Sequence, residues 1–133
     1  GMALFKGKAR CILCHSGPNF TDNQFHNLGV PQVGPMKEDL GRYYVSRQEK
    51  DRGAFKTPTL RSITETAPYM HDGVFKTLEE VVDFLDQGGR QNPNLSPMMK
   101  ALGLTQQEKL DLVAFLKALT GEQVKFEMPK LPR

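Results

Sequence analysis

The sequence predicts an all-α domain of a few short helices and long irregular loops, wrapped around something that is not polypeptide. Two capping boxes, Thr77-Leu78-Glu79-Glu80 and Thr105-Gln106-Gln107-Glu108, each open a run with apolar residues at helical spacing. Between positions 16 and 56, by contrast, periodicity disappears into Gly, Pro, Asn, Asp and charge, as in Gly17-Pro18-Asn19 and Val33-Gly34-Pro35. A structureless stretch of roughly forty residues inside a small domain requires a filler other than side chains. Near the N-terminus, Cys11-Ile12-Leu13-Cys14-His15 offers a grip for such a filler.

The elements follow in order. Positions 2–14 carry Leu4, Phe5, Ala9, Ile12 and Leu13, a spacing compatible with a short amphipathic helix leading into the cysteines. After Thr77, Leu78, Val81, Val82 and Leu85 form one apolar face, and Gly88-Gly89 stops the run. Leu112, Phe115, Leu116 and Leu119 make the stripe of the last helix, with Gly121 just past its end. First and last helices are expected to cross with Phe5 against Phe115. No strand pattern or internal repeat competes.

Composition bounds the rest. The 133 residues, 38% hydrophobic, suit a single domain over 1–133. Eighteen Lys and Arg against fifteen Asp and Glu give +3, which asks for no nucleic acid. The apolar runs fall far short of the roughly 20 residues that cross a bilayer.

In Cys-x-x-Cys-His each thiol adds across one haem vinyl group, and the adjacent imidazole reaches the iron from the proximal side. Cys11 and Cys14 are thus the expected thioether anchors of haem c and His15 the iron ligand. Two rivals are weaker. A thioredoxin-like dithiol wants a βαβ context that is missing here. Zinc would need a partner for His26, which lies beyond Cys14, yet no second histidine stands at the usual spacing.

The sixth iron ligand is open. Met70 sits in the Pro- and Gly-bounded bend at 67–73, Met98 and Met99 precede the last helix, and a haem without a protein ligand there is the remaining option. Met2, Met36 and Met128 read as packing or surface. His26 and His71 are either loop residues with local hydrogen bonds or partners of a propionate or the iron. Arg61 is either a propionate fork or a solvated surface residue. The mixed charges at 37–56 read as a solvated face. Lys6, Lys8 and Arg10 either steer an acidic partner or serve solubility.

Several separate phrases, Cys-x-x-Cys-His-Ser-Gly-Pro-Asn-Phe-Thr-Asp, Phe25-His26-Asn27-Leu28-Gly29, Phe55-Lys56-Thr57-Pro58-Thr59-Leu60-Arg61 and the 67–73 bend, occur together and in order. Over nearly the whole chain they resemble the C-terminal domain of the di-haem cytochrome c peroxidase and MauG family. The resemblance implies a class I cytochrome c fold around one covalent haem c. It implies an electron-receiving role beside an N-terminal haem domain that reacts with hydrogen peroxide, with a small cytochrome c or cupredoxin as donor. Carbonyls of Thr66 and Pro68 would help bind calcium between the domains. The chain departs from the family at Leu85, where the resemblance places a ligating Met or Tyr.

Covalent haem attachment implies export to the periplasm. With Gly1 as a tag remnant and no leader before the haem motif, the chain reads as a piece of a longer precursor. A free-standing monohaem carrier and a five-coordinate ligand-binding haem protein are the alternatives.

Overall fold

The computed structural model describes residues 1–35 and 38–122; Met36, Lys37 and Met128 lie outside the described residues. Helix α1 (Met2–Lys6) buries Phe5, which is 1% exposed. The helix stops at Gly7, Arg10 turns to φ 56°, and a 3-10 turn at Cys11–Leu13 follows. The stretch at 2–14 is therefore not one helix. Glycine and a left-handed residue break it so that the chain can present the cysteines.

The long loop contains more order than its sequence announces. Strand β1 (Phe25–His26) pairs antiparallel with β2 (Phe55–Lys56), His26 opposite Phe55 and Phe25 opposite Lys56. Between them lie helix α2 (Tyr43–Ser46) and a 3-10 turn at Glu49–Asp51. This corrects the expectation that strands are absent: two residues per strand are too few to display alternation. Buried Asn27 ties the loop walls together. Its amide donates to the Arg52 carbonyl at 2.7 Å, its Oδ1 accepts from Gly29 N–H at 2.8 Å, and its carbonyl accepts from Ser96 N–H at 2.8 Å.

Both capping boxes form as expected. In α3 (Leu78–Asp86) the Glu80 N–H donates to Thr77 Oγ1 at 3.2 Å while Thr77 N–H donates to Glu80 Oε2 at 3.1 Å. In α4 (Gln106–Lys117) Thr105 and Glu108 exchange the same two bonds at 3.2 and 2.8 Å. These bonds satisfy amides that a helix start leaves free.

Leu78 and Val82 of α3 and Leu112, Val113 and Leu116 of α4 are buried in one cluster with Phe5, Ala9, Leu60 and Leu104. Phe5 meets Phe115 at 5.1 Å between ring centroids, as expected, and Phe20 closes the group edge-on to Phe5 at 5.8 Å. The two later helices are also joined by Lys109, which reaches Asp83 at 2.9 Å and Asp86 at 2.8 Å. No described helix is long and apolar enough to cross a membrane.

Candidate haem-binding site

The core stops short of the loops, and the space between holds a cavity of about 1270 Å³, beyond the range of roughly 300–1,000 Å³ usual for small-molecule pockets. Its apolar walls include Val81, Val82 and Leu85 of α3 and Leu112 and Leu116 of α4. Cys11, Cys14 and His15 all line it. The 3-10 turn gathers them: Cys14 N–H and His15 N–H both donate to the Cys11 carbonyl, at 3.3 and 2.9 Å.

Burial and neighbouring groups set the protonation of all three. Burial pushes the Cys11 thiol up to about 11, and burial followed by the nearby Asp22 charge raises Cys14. Both sulfurs therefore stay uncharged thiols at neutral pH. Burial also lowers His15, against the pull of the Phe20 and Pro58 carbonyls and Asp22. His15 Nδ1 lies 2.8 Å from the Phe20 carbonyl. Because a carbonyl only accepts, the proton sits on Nδ1, and Nε2 keeps the lone pair that an iron ion takes. A volume that side chains leave open, two protonated thiols and a tautomer-fixed imidazole together fit a covalently held haem.

The other expected residues divide. Met70, Met98, Met99, His71 and Leu85 all line the cavity. Met70 holds φ 71°, a backbone state uncommon for a residue with a side chain and often tied to function. Cys14 Sγ donates to Met98 Sδ at 4.0 Å, which places that methionine beside the thioether edge. His71 stacks on Phe55 at 3.7 Å between centroids, and its Nε2 is 3.0 Å from the Gln32 amide nitrogen. An amide N–H only donates, so this ring nitrogen accepts. His26 Nε2 is bound to Asp22 at 2.8 Å. Thr66 and Pro68 sit exposed at the cavity rim.

Arg61 is a correction. It does not line the cavity; its Nε and Nη2 donate to the Pro18 carbonyl at 3.0 and 2.7 Å, with the guanidinium over Phe20. The fork expected on a propionate is used to hold a loop. The cations that do reach the cavity wall include Arg10, Arg52, Lys56, Arg90 and Lys100, none of which the sequence marks out as propionate partners. Asp22 is the other residue missed. Its spacing from His26 was legible, yet its approach to Cys14 is made by a turn in a stretch without periodicity.

The Cytochrome c family model matches residues 1–120. The chain is 41% identical to a cytochrome-c peroxidase of Pseudomonas sp. (strain SCT), over 99% of this chain and 42% of that protein. It is 44% identical to the methylamine utilization protein MauG of Methylorubrum extorquens, over 99% of this chain and 37% of that protein. Among solved structures, a MauG-like protein associated with microbial copper homeostasis superposes with a TM-score of 0.80 at 36% identity, covering 91% of this chain and 46% of that one. The diheme peroxidase BthA of Burkholderia thailandensis gives 0.71 at 26% identity, covering 90% and 41%. The chain thus spans about two fifths of the length of the curated relatives it matches. Fold, cavity and kinship agree: the chain belongs to the cytochrome c family, as a haem c domain similar to the C-terminal halves of di-haem cytochrome c peroxidases and MauG.

Proposed function

We propose that this domain is the electron-receiving half of a larger periplasmic protein that reduces hydrogen peroxide. The observation that carries the reading is the convergence of Cys11, Cys14 and tautomer-fixed His15 on one large apolar-walled cavity. Haem c bound there supplies a one-electron carrier. Cys11 and Cys14 would hold it covalently, and His15 Nε2 would ligate its iron. Met70, which lines the same cavity, would offer the iron a thioether, a ligand that favours ferrous over ferric iron and raises the potential. His71, Arg10, Arg90 and Lys100 on the cavity wall would meet the propionates. The carbonyls of Thr66 and Pro68 contribute to a calcium site shared with a preceding haem domain. A small cytochrome c or cupredoxin donates the electrons.

Two other readings each rest on one observation. A single Cys-x-x-Cys-His in the chain favours a free-standing electron carrier. Leu85 favours a haem with an open position, because an aliphatic side chain on the cavity wall cannot ligate iron.

The test uses the full-length protein carrying this domain. It should reduce peroxide with electrons from a reduced cytochrome or cupredoxin, and His15→Ala should remove that donor-driven turnover. Unchanged turnover in His15→Ala would refute the reading, and so would a parent gene that encodes no second haem motif.

A further inference from the structure

We propose that, before haem is attached, Cys14, Asp22 and His26 form a binding site for one zinc-class divalent metal ion. The Cys14 sulfur, an Asp22 carboxylate oxygen and a His26 ring nitrogen lie within 4.8 Å of one another, and all three residues are half-buried. Thiolate, carboxylate and imidazole are the donors such ions take in tetrahedral sites, where three protein donors leave a fourth place for water or another ligand. Met98 Sδ lies 4.0 Å from Cys14 Sγ. A zinc reading of the sequence lacks a second histidine; in the fold, the Asp22 carboxylate takes its part.

The site is assembled by local bonds. Asp22 N–H donates to the Cys14 carbonyl at 2.8 Å, which folds position 22 back onto position 14. Thr21 N–H to the Ser16 carbonyl at 2.9 Å and Phe20 N–H to the Gly17 carbonyl at 3.1 Å close the turns between. Asp22 Oδ1 accepts from Gln24 N–H at 2.9 Å, while Oδ2 is 2.8 Å from His26 Nε2, so both sides of the carboxylate are oriented. Cys14 and His26 stand only twelve positions apart, and a loop that short closes at small entropic cost. His26 is also held by its pairing with Phe55 in β2, and metal binding would itself help to fix the loop.

Binding exchanges bonds without redox change: the Cys14 S–H proton leaves to solvent, the His26 Nε2–H bond to Asp22 Oδ2 opens with its proton lost to solvent and Nδ1 protonated in its place, and sulfur, imidazole nitrogen and carboxylate oxygen each bond the metal. A sulfur so held has its electron pair on the metal and is not free to bond a vinyl carbon. Ion and second thioether link are mutually exclusive at Cys14, and an occupied site leaves a haem joined through Cys11 alone.

The test takes the full 133-residue chain, made without haem maturation and with thiols reduced, and titrates it with Co²⁺ as a coloured stand-in for Zn²⁺. One ion per chain should bind with a thiolate-to-cobalt absorption that Zn²⁺ displaces. Asp22→Asn and His26→Ala should each weaken binding about tenfold or more, while Cys11→Ser stays within about twofold. Bound Zn²⁺ should slow alkylation of Cys14 and leave Cys11 labelling at its original rate. No binding by the unaltered chain would overturn the proposal. It would equally fall if Cys11→Ser abolished binding while Asp22→Asn and His26→Ala left it intact, because the ion would then sit on the Cys-x-x-Cys-His motif.

Discussion

The Phe20 carbonyl accepts the Nδ1 proton of His15 and so leaves the other nitrogen with a free lone pair, the one proposed to ligate iron. On the opposite side, Met70 is the proposed donor, and substitution separates it from its neighbours. In the haem-loaded domain Met70→Ala should abolish the long-wavelength sulfur-to-iron absorption of the ferric state and lower the reduction potential, whereas Met98→Ala should leave both. The reverse pattern would move the ligand to the 98–99 loop. A second residue with a readable role is Asp86. Its carboxylate accepts from Leu104 N–H at 2.9 Å and pairs with Lys109 at 2.8 Å, and these two contacts hold it below the ordinary carboxylate range. A depressed folded-state value means the stabilisation is present above the unfolded value of 3.8 and disappears as pH falls through the lower folded one. Acid unfolding should therefore steepen below about pH 4, and Asp86→Asn should flatten that part of the curve in a pH-resolved denaturation series. Cys11, Cys14 and His15 were legible in the sequence because their chemistry is written in consecutive positions. Asp22 and the cavity-wall cations were not, because tertiary turns bring them in from stretches that carry no pattern. Arg61 misled for the same reason: its backbone partner at Pro18 is 43 positions away.

Elements announced themselves where they carried a cap. Thr77 and Thr105 with their paired glutamates marked both long helices to the residue, since the start of a helix has its own local chemistry. The first helix ended early at Gly7, and the two-residue strands left no periodic trace. A pair of glycines holds the loop walls against each other. Gly29 at φ 68° lies so close to the Arg90 carbonyl that a Cβ would collide with it, and Gly89 at φ 73° stands likewise against the Leu28 carbonyl. Gly29→Ala should therefore destabilise the haem-loaded domain by about 1–3 kcal/mol in denaturant titration, through left-handed strain and backbone displacement. A change within experimental error would show that the two loops are free to separate. Where α1 crosses α4, Phe5→Ala should cost about 3–5 kcal/mol, because it removes a fully buried ring from between Phe20 and Phe115.

For the whole molecule, the all-α class could be read from the caps and helical spacing and the need for a non-protein filler from loop length, while the shape of the cavity could not. About 1270 Å³ bounded by both long helices and the loop walls is space that the side chains of the described residues leave open. Haem attached there acts as part of the core, so the loaded domain should unfold at a distinctly higher denaturant concentration than the haem-free chain, as expected for a group held by the folded state. The most direct test is to produce the chain with cytochrome c maturation machinery, denature it and extract it with acid and organic solvent. The colour should stay with the polypeptide, the mass should exceed that of the bare chain by one haem, and Cys11→Ser combined with Cys14→Ser should release all of it. A colourless polypeptide of unmodified mass, recovered from a host that attaches haem to other cytochromes, would contradict the account.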